Sequence, residues 1–449
     1  MSASSWPEAV PEVAAAEPQQ APVSVAARWN PLTRIVFRFL FLYLGLYNVE
    51  SLFGLIPISF ATQLVLWYDE LWEPVTVFTG NTLFGVDARP RGISGSGDTT
   101  AAFVLTFIYL MIALAGTIIW SVLDRRRVNY ATLHAWFRSY VRFAVAISMI
   151  SYGVAKVVKL QFPPILLDRL TQPLGSISPM GLLWTFMSFS VLYNVFTGSA
   201  EMLGGILLTT RRTATLGALV TAGAMANVFV LNMAYDVPVK LYSGHLLFMS
   251  LVIAAPDAQR FANVFLLNRT AAPAVLRPSL RNPRWDVLLR AARTLMIAAF
   301  ILVSLRQAIT QMKEWNAQPL DKTPLYGIWN VEWMKYDGVE RPPLTTDTIR
   351  WRRLTVSSTR VASLTMMNDE RTRLMMKLDG ERHTLDLMRK SPPAMNVALK
   401  YTQPDRTTLV LNGLYNGHKV EARLTQTATP QFVLMTRGFH WINEFPFNR

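Results

Sequence analysis

Three ionisable side chains, Lys156, Glu201 and His245, stand inside or at the edge of stretches that otherwise read as membrane-crossing helices. Charge at bilayer depth is costly, so each is a candidate functional group. Helical spacing sorts the polar residues onto faces. Tyr152, Lys156 and Lys159 share one side of a helix; Asn194, Gly198, Glu201 and Gly205 form one stripe, and Tyr43, Tyr47, Glu50 and Gly54 another. Lys156 can hold an anion or an enolate oxygen and His245 can carry a proton, with Tyr152, Asn227 and Glu50 completing a polar pocket that binds a cofactor. Each group also has a plainer reading. A lysine so near a helix end can lift its ammonium to the interface. His245 can be a satisfied structural histidine, and Asn194 and Asn227 can be interhelical hydrogen-bonding groups. Glu201 is expected to pair with Arg142 and lock two helices, while Gly198 and Gly205 allow a neighbouring helix to approach closely.

Other chemistries are poorly supplied. The chain has no cysteine, which excludes dithiol relays, thiolate-ligated clusters and disulfides. His134 lies at the edge of a span and His383, His418 and His440 near the C-terminus, none at ligand spacing from His245, so no metal or haem site is expected. The glycine-rich SGSGDTT lacks the lysine and flanking strand of a phosphate loop, so ATP is not expected; its Asp98, Thr99 or Thr100 can instead cap the next helix. The net charge of +15 would fit nucleic acid in a soluble chain. Here the arginines mass beside apolar spans, which is the positive-inside pattern, so the expected partner is lipid and not nucleic acid.

The elements that must position these groups follow from composition. Of 449 residues, 51% are hydrophobic and 16% charged, against roughly a quarter charged in soluble domains. Residues 1–27 read as a disordered tail. A helical domain over 28–312 holds about seven spans: Arg34–Phe60, Ala101–Leu123, Tyr140–Val158, Leu182–Leu208, Thr213–Met233, Val239–Ala255 and Val287–Ile309. Most approach the ~20 residues needed to cross hydrocarbon, with Ala61–Thr100 as a loop. Arg34 and Arg38, Arg125 to Arg127, Arg211 and Arg212, and Arg260 to Arg284 all fall on one side of this arrangement. That predicts a cytoplasmic N-terminus in a bacterial inner membrane and an external C-terminal domain.

After a linker over 313–325, the period changes to two. Leu374, Met376 and Leu378 alternate with Arg373 and Lys377, and Val420, Ala422 and Leu424 with Glu421 and Arg423, as in half-buried strands. Asp337-Gly338, Asp379-Gly380, Asn412-Gly413 and Asn416-Gly417 are hairpin-turn signals. The fold class is therefore an all-α polytopic membrane bundle followed, over 326–449, by an all-β antiparallel barrel of about eight strands. YGIWNVEWMKYDG is similar to the first strand of lipocalin-like domains. Such a barrel either takes an apolar ligand in its mouth or is packed solid and serves as a docking module.

The stretches YGVAKVVKLQFPP, SPMGLLWTFMSFSVLYNVFTG, SAEMLGGILLTTRRTATLGAL and NVFVLNMAYDVPVKLYSGHLL resemble the DoxX-like family of membrane proteins, with the core over 140–257. The resemblance marks Gly153, Lys156, Glu201, Gly204 and Gly205 as family-pattern positions. It implies a four-helix core associated with membrane oxidoreductases that use a quinone, and hence an oxidoreductase partner subunit. A more distant likeness, to the membrane domain of vitamin K-dependent carboxylases, transfers no catalytic role. The alternative is a non-enzymatic scaffold or lipid-binding protein whose external barrel docks a partner.

Overall fold

A computed structural model describes residues 28–50, 58–90, 95–271, 283–316, 325–389, 394–428 and 432–448. The expected tail over 1–27 and most of the linker lie outside the described residues. The principal helices are α1 (Pro31–Tyr47), α2 (Ile58–Thr79), α3 (Thr100–Leu123), α4 (Ala131–Val157), α5 (Pro179–Phe189), α6 (Val191–Thr209), α7 (Ala214–Ala234), α8 (Lys240–Ala254) and α9 (Pro283–Asn316). Among the described residues, six segments are long and apolar enough to cross a membrane: α3, α4, α6, α7, α8 with its continuation to Leu266, and Thr294–Glu314 of α9.

The chain departs from the expected spans at three places. Within the first span, helix α1 ends at Tyr47, where Asn48 caps it and returns its side-chain amide to the Leu44 carbonyl at 2.8 Å; residues 51–57 of that expected span lie outside the described residues. The expected loop 61–100 instead contains α2, a 22-residue helix with Pro74 inside it. The expected single helix Leu182–Leu208 is two, because Ser190 is extended (φ −98°, ψ 110°). Ser190 Oγ accepts the Tyr193 N–H at 3.1 Å, and Asn194 Nδ2 donates to the carbonyls of Met187 and Ser190. These side chains satisfy backbone groups that a break in an apolar setting would otherwise orphan.

One end of the bundle is stitched by arginines aimed at helix C-termini, where the peptide dipoles favour cations. Arg38 donates to the Asp124 carbonyl behind α3 at 2.9 Å, Arg138 to the Ile253 carbonyl of α8 at 3.1 Å, and Arg142 to Leu208 and Thr209 of α6 at 2.8 and 3.1 Å. At the other end Thr99 caps α3, its Oγ1 accepting the Ala102 N–H. Asp98 caps a different helix, accepting the N–H groups of Lys240 and Leu241 at 2.8 and 2.9 Å at the start of α8.

The C-terminal domain is an antiparallel up-and-down barrel. Its strands are β1 (Gly327–Tyr336), the short β2 (Val339–Glu340), β3 (Trp351–Ser358), β4 (Val361–Met366), β5 (Arg371–Asp379), β6 (Thr384–Arg389), β7 (Met395–Asp405), β8 (Thr408–Tyr415) and β9 (His418–Thr427). Each pairs with its neighbour, and β1 closes on β9 along Ile328–Tyr336, so eight strands form the closed wall. Closure removes the edges that would otherwise recruit another strand. Asp337-Gly338 and Asn416-Gly417 form tight turns with both residues at positive φ. Asn412-Gly413 does not turn: it lies inside β8, paired with Lys400 and Leu399 on β7 and with Glu421 and Val420 on β9. The glycine is required there because a Cβ would stand 2.1 Å from the Ala398 carbonyl oxygen. The barrel interior is filled by Trp329, Trp351, Met334, Leu354, Leu385 and Leu409, all at most 1% exposed. Arg350, 2% exposed, donates to the carbonyls of Arg341, Glu332 and Val331. The packed alternative is the one this interior fits.

The barrel rests on the connection between α4 and α5. Asp168, fully buried, receives Nε and Nη2 of Arg373 at 2.9 and 2.6 Å and also the Arg371 guanidinium, while its own N–H donates to Ser357 Oγ at 3.1 Å. Among the described residues, four membrane-length helices, α6, α7, α8 and α9, lie between Asp168 and the barrel in sequence. An even number of crossings returns the chain to the side it left, as this contact requires.

Candidate functional site

The site begins where α4 meets α6. Gly153 and Gly198 face each other so closely that a Cβ on Gly153 would lie 2.6 Å from the Gly198 carbonyl oxygen, and one on Gly198 2.7 Å from that of Gly153. Gly205 meets Ala146 on the same interface, and Gly204 faces Thr221 of α7. Small residues let the backbones approach where packing must replace the hydrophobic effect.

This approach brings Lys156 Nζ onto Glu201 Oε1 as a buried ion pair, with side chains 7% and 2% exposed. Arg142, the expected partner of Glu201, is spent on the carbonyls of Leu208 and Thr209 instead. The expectation that Glu201 pairs with Arg142 is therefore corrected: on antiparallel helices the end of α4 comes level with the middle of α6. The snorkelling alternative for Lys156 does not describe it either, since the ammonium turns inward. Among the described residues, the second carboxylate oxygen, Glu201 Oε2, has no hydrogen-bond partner, and neither has Oε1 of Gln161.

Lys156 and Glu201 line a cavity of about 280 Å³ between α4, α5, α6, α7 and α8. Its wall is otherwise largely apolar and aromatic, with Phe162, Trp184, Met187, Phe196, Leu231 and Leu246 among the lining residues. Polar additions come from Tyr152, Asn227 and Asn232. Asn232 is committed to Ser243 at 3.0 Å, and Tyr242 shares a hydrogen bond of 2.7 Å with Ser148. The broken helix matters here: α5 and α6 both supply parts of the wall, and the extended Ser190 separates them.

Of the candidates singled out from sequence, Lys156, Tyr152 and Asn227 are brought together, and Glu201 joins them. His245 and Glu50 do not line the cavity. His245 faces α1, where Nδ1 lies 2.7 Å from the Leu241 carbonyl, Nε2 lies 2.7 Å from the Tyr43 hydroxyl, and the ring stacks on Tyr47 at 3.9 Å. A carbonyl only accepts, so Nδ1 carries the proton and Nε2 accepts from Tyr43. The ring is satisfied at both nitrogens and reads as structural. Glu50 lies just beyond α1 on an exposed position.

Sequence reasoning missed Trp184, Gln161 and Tyr242, which carry no signal to separate them from other aromatic and loop residues. It also missed Asp168, whose only sequence mark is a lone carboxylate in a short apolar loop. Among the described residues no group of three or more His, Cys, Asp or Glu could hold a metal ion.

Fold and cavity together define a polytopic membrane helical bundle with a largely apolar pocket, a buried ion pair in its wall, and a packed C-terminal barrel. No family model matches the chain, and no solved structure matches it. The uncharacterized protein YwoB of Bacillus subtilis (strain 168) is 32% identical to it over 142 residues, covering 31% of this chain and 86% of that protein. The chain belongs to the family of YwoB, whose description assigns no activity.

Proposed function

We propose that this protein holds a lipophilic molecule with an oxygen-bearing head, of the quinone class, in the cavity between α4 and α8, as a subunit of an oxidoreductase assembly. One observation carries the reading: a Lys–Glu pair buried in an otherwise apolar wall, with one carboxylate oxygen unpartnered. A buried polar atom without a partner costs stability and points to a group that would satisfy it. The Lys156 ammonium donates to a carbonyl or enolate oxygen, Glu201 Oε2 accepts from a hydroxyl, and the aromatic wall houses the ring. With no cysteine in the chain, no thiol couple of its own passes electrons, so a partner subunit would carry them. The resemblance of the core to DoxX-like proteins points the same way. The arginine bias supports a bacterial inner membrane with the stitched end cytoplasmic and the barrel outside.

A second reading, a non-enzymatic scaffold, draws on the barrel: its filled interior and its clamp on Asp168 suit a docking module. Purification in mild detergent with mass spectrometry of extracted lipophiles and co-purifying proteins separates the two. A quinone retained by wild type and lost in Lys156→Met supports the first. Phospholipid alone, unchanged by that substitution, sinks it.

A further inference from the structure

At the arginine-rich end, opposite the barrel, a groove of about 740 Å³ runs between the start of α4, the α6–α7 turn and the segment after α8. Arg138, Arg142, Arg211, Arg212 and Arg260 all line it, against Asp257 as its one lining carboxylate. That carboxylate is already saturated, by Arg138 at 2.8 Å, Arg260 at 2.8 Å and the Thr215 hydroxyl at 2.6 Å. Among the described lining residues, five arginines thus face a single carboxylate. Its outer wall is apolar: Leu216 and Leu219 on the first turns of α7, and Val264 and Phe265 beyond α8, are 55%, 41%, 47% and 76% exposed.

We infer that this groove binds an anionic phospholipid of the adjoining leaflet, its phosphate held by Arg211 and Arg212 and an acyl chain laid along Leu219 and Phe265. Guanidinium groups match phosphate oxygens in a planar fork. Basic pockets between membrane helices are where anionic head groups are held. A free phosphate ion would use the arginines and leave the apolar strip without a role; a lipid uses both at once. The site is separate from the cavity around Lys156, since the two share no lining residue.

The test uses the full chain in nanodiscs of phosphatidylcholine mixed with phosphatidylglycerol, followed by native mass spectrometry of the retained lipid. Wild type is expected to keep phosphatidylglycerol in preference to phosphatidylcholine, and R211Q and R212Q each to lower that retention roughly fivefold. Arg212 is exposed on a turn, and neither substitution touches the Arg138–Asp257 contact. Leu219→Ser, which keeps every arginine, is expected to weaken retention as well, so the inference does not hang on the arginine variants alone. Equal retention of both lipids, or retention unchanged in R211Q, R212Q and Leu219→Ser, overturns it. Displacement of the lipid by inorganic phosphate overturns it in favour of a soluble-phosphate site.

Discussion

Lys156 and Glu201, 45 residues apart on α4 and α6, bury their opposite charges against each other in the wall of an apolar cavity. Removing either one alone strands the other charge away from water. Lys156→Met or Glu201→Leu should each cost about 3–5 kcal/mol, whereas the double substitution should recover most of that. A double-mutant cycle on unfolding in detergent measures it. Additive single effects would mean that the two side chains do not act as a pair.

The glycine contact beneath the pair has no slack. Gly198→Ala places a methyl against the Gly153 carbonyl and Lys156. The helices must part, at a cost of about 1–3 kcal/mol or more. Gly223, with nothing near its Cβ, is the control, and Gly223→Ala should leave the melting temperature unchanged or raised.

His245 offers a contrast. His245→Ala removes a stacking partner from Tyr47 and a hydrogen bond from Tyr43, so it should lower stability by about 1–3 kcal/mol. Because the ring is outside the cavity wall, retention of any extracted lipophile should stay as in wild type. Loss of the ligand with stability intact would reverse the structural assignment.

Asp168→Asn leaves Arg371 and Arg373 facing a neutral amide. With Arg373 about half exposed, solvent offsets part of the loss, and roughly 1–2 kcal/mol is expected for the barrel's attachment. Hydrogen exchange should rise along β5 and over residues 165–171 while the barrel's own strands stay protected.

Acid should weaken the barrel through its turns. The Asp405 carboxyl is held down to about 2 by the Thr407 hydroxyl and N–H, and the Asp337 carboxyl lies below its usual range because His418 and the Lys419 N–H bond to it. A depressed folded-state value gives stability that is complete above the ordinary carboxylate value, 3.8, and lost as pH falls towards 2. Urea midpoints across that interval should slope downward, and Asp405→Asn should flatten the slope.

The two architectures were legible because each has its own period: long apolar runs for the bundle, strict alternation at Leu374–Leu378 and Val420–Leu424 for the barrel. The glycine stripe through Gly198 and Gly205 was legible as a close-packing face for the same reason. Pairing was not. Glu201 meeting Lys156 instead of Arg142 depends on how far antiparallel helices slide past each other, which helical spacing within one segment does not encode. Ser190 breaks a helix in a stretch with neither proline nor glycine beside it, and the means of doing so, the side chains of Ser190 and Asn194, look like ordinary polar residues in a span. Asn412-Gly413 shows the reverse error: a turn dipeptide by composition, placed mid-strand because a neighbouring backbone needs the room.

The clamp on Asp168 has a mechanical side. The connection that carries Asp168 also carries Gln161 and Phe162, which belong to the wall of the cavity. Only a few residues, including Pro163 and Pro164, separate the two. The barrel therefore grips one end of a short, stiff strap whose other end is the cavity's rim. Whatever tugs on the barrel from outside the bilayer pulls first on that rim.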